Sequence, residues 1–89
     1  MARDFVKDPD ATLDYQWDWS AWLAGDTIQS CTVTASDGLT ASDIENTTTT
    51  VTAWLSGGVA EQRYTVTCHI VTAAEREDDR SIEVTVMER

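Results

Sequence analysis

A lone histidine, a lone proline, two cysteines and 6 Lys plus Arg leave this 89-residue chain short of the groups on which catalysis and metal binding rest. A zinc site normally takes four Cys or His ligands at short spacings, and Cys31, Cys68 and His69 do not supply one. Strand alternation also puts His69 on the face opposite Cys68, which marks it as an exposed or interfacial residue. There is no glycine-rich phosphate cradle, and no Ser, His and Asp set that short strands would bring together. Asp8 and Asp10, or Glu75, Glu77, Asp78 and Asp79, are hard oxygen ligands of the kind calcium takes. Neither group has the EF-hand spacing, and carboxylates interleaved with Arg76 and Arg80 read as a solvated loop tip. The chain reads as a non-enzyme with no catalytic, cofactor-binding or metal residues.

The shortage of basic residues bounds the partners. Against it stand 16 Asp plus Glu, a formal charge of -10 and a pI near 4.1. Phosphate backbones are bound through clustered Lys and Arg, and no such cluster is present, which excludes nucleic acid. The same charge argues against anionic membranes and leaves room for a basic protein partner. No run approaches the roughly 18 apolar residues of a membrane span, and the start, MARDFVKDPDATLDY, has no apolar core of a signal peptide. These features predict a chain made and kept in a cytoplasm, unless it leaves as part of something larger, with Cys31 and Cys68 as free thiols.

What the chain does have is strand-forming residues. Thr is frequent and runs unbroken from Thr47 to Thr50, with 4 Trp and many Val beside it, a composition that favours β-structure. One domain with one modest core fits this length. In Gln62 to Ala73, Tyr64, Val66, Cys68 and Ile70 alternate with Arg63, Thr65, Thr67 and His69, and Ile82, Val84 and Val86 repeat the period in Ser81 to Met87. The two runs predict a long antiparallel hairpin closed by AAEREDDR. Leu13, Tyr15, Trp17 and Trp19 alternate with polar residues in the first confident strand, and Trp22 and Leu23 follow. Thr27 to Ala35 is the next, with Ile28 out of phase with Cys31 and Val33 and so a bulge near Gln29-Ser30. Leu39 to Ile44 is short and weak, and Thr48 to Leu55 carries Val51, Ala53 and Leu55 on one face. Residues 1–11, around Pro9, read as an irregular N-terminal arm, with Phe5 free to dock on a neighbouring subunit. Residues 12–89 form an all-β antiparallel sandwich of about six to seven strands.

Two further readings concern placement. Leu55 to Tyr64, with Gly57 and Gly58 between, resembles the tyrosine corner of fibronectin type III and other immunoglobulin-like sandwiches, in which a phenol hydroxyl bonds upstream backbone. Tyr64 is the residue in question. Cys31 and Cys68 resemble the pair that bridges the sheets of antibody domains, with Trp54 as the packing tryptophan; two unbridged core thiols are the other reading. The aromatics Phe5, Trp17, Trp19, Trp22 and Trp54 divide between core filling and an interface patch. The uncharged Thr47 to Thr52 segment reads as an edge that a neighbour's strand would cover.

Several blocks of the sequence carry a wider resemblance. They are Lys7-Asp8-Pro9-Asp10, Asp14-Tyr15, Trp17-Asp18-Trp19-Ser20, Trp22-Leu23, Gly25-Asp26-Thr27-Ile28, Gly38-Leu39, Trp54-Leu55-Ser56-Gly57-Gly58, Tyr64-Thr65-Val66-Thr67 and Asp78-Asp79-Arg80-Ser81. Over about Lys7 to Met87 the chain resembles a family of small immunoglobulin-like virion proteins of tailed bacteriophages and prophages, the fiber-tail adaptor proteins. The resemblance implies a structural component present in several copies per particle, which joins the tail, the neck or a portal-proximal ring to fibres. The stretches around Cys31 and Cys68 depart from that pattern, and the thiols read as incidental. The rival readings are a carbohydrate-binding or adhesive module, with Trp17, Trp19 and Trp54 on one exposed face, and an assembly factor absent from the finished particle.

Overall fold

The computed structural model describes residues 3–88, with side chains from Phe5 to Glu88. Met1, Ala2 and Arg89, the outer ends of the expected arm and sandwich, lie outside the described residues. Among the described residues the order is β1 (Arg3–Lys7), β2 (Leu13–Asp18), one helical turn α1 (Ser20–Leu23), β3 (Ile28–Ala35), β4 (Leu39–Asn46), β5 (Thr50–Gly57), β6 (Gln62–Thr72) and β7 (Glu77–Val86). One sheet runs β1-β7-β6-β3 and the other β2-β5-β4. The second, fifth and fourth strands thus face the third, sixth and seventh, which is the division of an immunoglobulin-like sandwich.

Period-two alternation builds the two inner faces. In β6, Tyr64, Val66, Cys68, Ile70 and Thr72 are buried, and in β7 Ile82, Val84 and Val86. Opposite them lie Val51, Ala53 and Leu55 of β5, all with no exposure, and Trp17 of β2. The hairpin β6–β7 is the longest pairing, in register from Gln62↔Val86 to Val71↔Glu77. Its turn is shorter than the charged run suggested. The Thr72 N–H donates to the Arg76 carbonyl (2.8 Å) and the Glu75 N–H to the Thr72 carbonyl (2.9 Å). Glu77 to Arg80 therefore belong to β7, because each still finds a partner across the ladder.

Three other expectations are corrected. The first concerns residues 3–7, which form not an irregular segment but strand β1, parallel to β7, with Phe5 opposite Val84. Lys7 ends it inward-facing and fully buried, and its ammonium donates to the Asp8 and Gly57 carbonyls, both at 2.8 Å. Second, β5 lies between β2 and β4, so Thr50 to Thr52 are interior to a sheet and no neighbour is needed to cover them. Third, the alternating run from Leu13 breaks at Asp18, where the Asp18 carboxylate accepts the Ser20 N–H (2.9 Å) and starts α1.

The irregularities follow local chemistry. A register shift between Ile28 and Ser30 is the bulge read from phase. β4 extends to Asn46 across a second shift between Ser42 and Glu45, where Asp43 adopts φ 48. Tyr64 is buried, its hydroxyl accepts the Val59 N–H (2.8 Å), and its ring lies between Gly38 and Gly58. A Cβ on Gly58, at φ +92, would stand 2.6 Å from Val86 Cγ2 and 3.3 Å from the Tyr64 ring.

On the outer face of the hairpin, Thr67 and Ser81 share a hydrogen bond of 2.9 Å and Arg63 pairs with Glu83 at 3.0 Å. His69 Nδ1 meets Asp79 Oδ1, and its Nε2 lies 3.1 Å from Glu77 Oε1. The Asp79 hydrogen bond first, then Glu77, holds the imidazolium above its usual pKa of 6.5. A raised folded-state pKa means that stability is present in full below 6.5 and lost as pH rises through the folded value. His69→Gln is therefore expected to lower the denaturant midpoint at about pH 5 and to leave it nearly unchanged at about pH 9. A deficit that grew with pH would contradict this ion pairing. Tyr64→Phe is expected to cost about 1 kcal/mol in denaturant unfolding, from one lost hydrogen bond. Gly58→Ala, which adds overpacking to a left-handed backbone, is expected to cost about 2 kcal/mol or more; a smaller loss than that of Tyr64→Phe would overturn the account of the corner.

Candidate interaction surfaces

The aromatic side chains divide sharply by environment. Trp19 has no exposure and Trp17 has 5%, so both belong to the core. Phe5 and Tyr15 meet edge-to-face at 4.7 Å, which gives Phe5 a contact within the chain across the β1 and β2 edges. Trp22 is half-buried and packs edge-to-face on Trp19 at 5.5 Å. Trp54 alone of the five projects outward, from the middle strand of the smaller sheet, with 39% exposure.

The basic residues between and beside the acidic ones have structural partners. Arg76 lies 4.1 Å over the Trp22 ring and donates to the Trp22 and Leu23 carbonyls at 3.1 and 3.2 Å, satisfying the end of α1. Its Nη1 stands 3.5 Å from Asp26 Oδ2. The Thr72 hydroxyl above all, then the Thr27 and Ala74 amides and Arg76, holds the Asp26 carboxyl below its usual pKa. Arg80 lies 4.3 Å over Trp19 and donates to the Asp18 carbonyl at 3.0 Å. The reading of this segment as a solvated tip is thus corrected for both arginines. The signal was in the sequence: Arg80 stands in phase with Ile82, Val84 and Val86, the inward side of β7. Lys7 likewise stands in phase with Phe5.

A cleft of about 230 Å³ opens where the β1 and β7 side of one sheet meets β2 of the other, lined by Phe5, Tyr15, Trp17, Asp18, Arg80 and Ile82. Its ionisable groups are occupied. Asp18 accepts the Ser20 amide and, chiefly for that reason, its carboxyl stays below the usual pKa. Arg80 is held on Trp19. The cleft has walls for an apolar side chain and no nucleophile paired with a base. Among the described residues no three His, Cys, Asp or Glu side chains converge as metal ligands, and no helix is long and apolar enough to cross a membrane.

The thiols do not face one another across the core. Cys31 lies on β3, the third strand rather than the second, because the arm supplies β1. It shares a sheet with Cys68, offset by two ladder positions, Cys31 opposite Ile70 and Val33 opposite Cys68. Both are free, and the likeness to a sheet-bridging pair is corrected by this topology. Burial pushes the Cys68 thiol up to about 11 against the pull of the nearby Trp19 indole, and burial raises Cys31 as well, so neither is an activated nucleophile. Trp19, not Trp54, is the tryptophan beside Cys68.

Four strands form sheet edges: β1, β3, β2 and β4. Edge strands are commonly blunted by charge or bulges. β2 carries Asp14 and Asp18, β4 carries Asp43, Glu45 and a bulge, and β1 is short with Asp4 and Lys7. β3, IQSCTVTA, carries no charge.

No curated protein matches this chain. Residues 7–85, from the end of β1 to the last turn of the ladder in β7, match the family model described as the podophage GP4 fiber-tail adaptor protein gp77. With nearly all of the sandwich inside that match, the chain belongs to the gp77 family of podophage fiber-tail adaptor proteins.

Proposed function

We propose that this chain is a non-enzymatic structural component of a tailed-phage virion, a small adaptor that joins the tail or neck to fibres or neighbouring tail proteins. The observation that carries the reading is the family match over residues 7–85, which takes in all or part of every strand of both sheets. Its surfaces suit an assembly subunit. The molecule measures 42 × 24 × 19 Å, long enough to meet neighbours at separate faces. The uncharged β3 edge offers unpaired backbone groups for strand addition, a common mode of protein recognition.

The carbohydrate-binding alternative needs several aromatic rings on one open face. Trp17 and Trp19 are buried and leave Trp54 by itself, so no such platform favours it. The site of action is the particle, and synthesis takes place in the bacterial cytoplasm. Several copies per particle follow from the symmetry of tails and necks.

The test is peptide mass spectrometry of purified particles together with electron microscopy of gold-labelled antibody to this chain. The expected result is peptide in the particle and label at a fixed ring near the neck, tail or fibre base. If finished particles contain neither, the adaptor reading falls and an assembly factor takes its place.

A further inference from the structure

The outer face of the smaller sheet carries charge of one sign around an exposed indole. Residues opposite one another in antiparallel strands share a face. Trp54 lies between Asp14 and Ser42, Thr52 lies between Gln16 and Glu45, and Asp18 is opposite Thr50. The alternate residues Val51, Ala53 and Leu55 are fully buried, so the Trp54 row points away from the core. No other aromatic among the described residues is as exposed as Trp54, at 39%. Asp14, Asp18 and Glu45 are the charged residues of this face, all exposed and all acidic. The bulge beside Glu45 adds Asp43, also exposed.

The described cations offset that field only at Asp18, where Arg80 acts on the carboxylate, because each has its hydrogen-bond or ion-pair partners elsewhere. Lys7 is buried on two carbonyls, Arg63 pairs with Glu83 on the opposite sheet, and Arg76 closes α1. Arg80 comes nearest, but its guanidinium lies over Trp19 with Nη1 on the Asp18 carbonyl. An indole face attracts ammonium and guanidinium groups, and Trp anchors ringed by polar contacts are frequent centres of binding energy.

We propose that this face, centred on Trp54, docks a basic surface of a neighbouring virion protein. A Lys or Arg of the partner lies over the indole, and others pair with Asp14 and Glu45. The inference rests on the adaptor reading and adds to it a face and the partner's chemistry. A polysaccharide fits the face less well, since one ring with three carboxylates gives a neutral sugar little platform and repels an acidic one.

The test is competition during infection. Epitope-tagged Trp54→Ala, and separately Asp14→Lys with Glu45→Lys, are co-expressed with the untagged chain, and the tagged-to-untagged ratio in purified particles is compared with that in the soluble pool by quantitative mass spectrometry. Thr65→Lys, exposed on the outer face of the other sheet and on the interior strand β6, is the control, and thermal melting verifies that each variant is folded. The expected result is a ratio lowered about tenfold or more for both test variants, as for an interface anchor, and unchanged for the control. Unchanged incorporation of both test variants overturns the proposal while leaving the adaptor reading intact, and so does an equal drop for Thr65→Lys. Tryptophan emission shifted by host polysaccharide in the wild-type chain but not in Trp54→Ala, with incorporation unchanged, overturns it in favour of a sugar. Absence of the untagged chain itself from particles overturns both readings.

Discussion

β6 is hydrogen-bonded on both sides, to β3 and to β7, and its inward residues Val66, Cys68 and Ile70 have no exposure. The rest of the sandwich depends on that arrangement. A strand paired along both edges has its backbone groups satisfied without water, so its inner face can be wholly apolar. The second sheet then finds a continuous surface on which to bury Val51, Ala53, Leu55 and Trp17. At its start Tyr64 fastens the preceding loop through the Val59 amide, and the absence of a side chain at Gly38 and Gly58 makes room for the ring. At its end Thr72 accepts the Arg76 amide and closes the hairpin. One strand therefore sets the width of the core and the position of both loops that border it.

A second constraint is the scarcity of cations. With 6 Lys plus Arg against 16 Asp plus Glu, the described basic side chains are drawn to backbone carbonyls, aromatic faces and local carboxylates. Arg76 and Arg80 in particular hold α1 and the Trp19 and Trp22 rings against the core. A guanidinium that caps carbonyls and stacks on an indole does two things with one group, which a lysine would do less well. The consequence is that stability and surface charge are coupled. Because the described basic groups are engaged with the chain's own carbonyls, rings and carboxylates, the remaining surface is left strongly acidic, and such a surface is suited to meeting partners of the opposite sign.

Much of the fold was legible because alternation is a local property. The hairpin of Tyr64, Val66, Cys68 and Ile70 with Ile82, Val84 and Val86, the bulge near Gln29-Ser30 and the turn glycines all follow from period, phase and residue type. The misreadings share a different cause. RDFVK is too short and too charged to announce a strand, and it is one only because β7 offers a free edge and Gly57 a carbonyl for Lys7. The Thr47 to Thr52 run looks like an edge because it lacks charge, yet interior strands lack charge for the opposite reason, having no edge to protect. The candidate surface was only partly legible. Trp54 stands out by sequence no more than Trp17 or Trp19 does.

By itself the sequence determined that this is an all-β chain with one core and an acidic surface, since composition and period-two patterning depend on neighbours a few residues apart. Its nine motif blocks also carried the family likeness. Tertiary structure alone decided which sheet each strand joins, and through that, which tryptophans are buried, why Cys31 and Cys68 lie side by side in one sheet, and which face remains open. Those outcomes depend on pairings between residues up to 79 positions apart, such as Arg3 with Ile82, and no local pattern encodes the choice of partner strand.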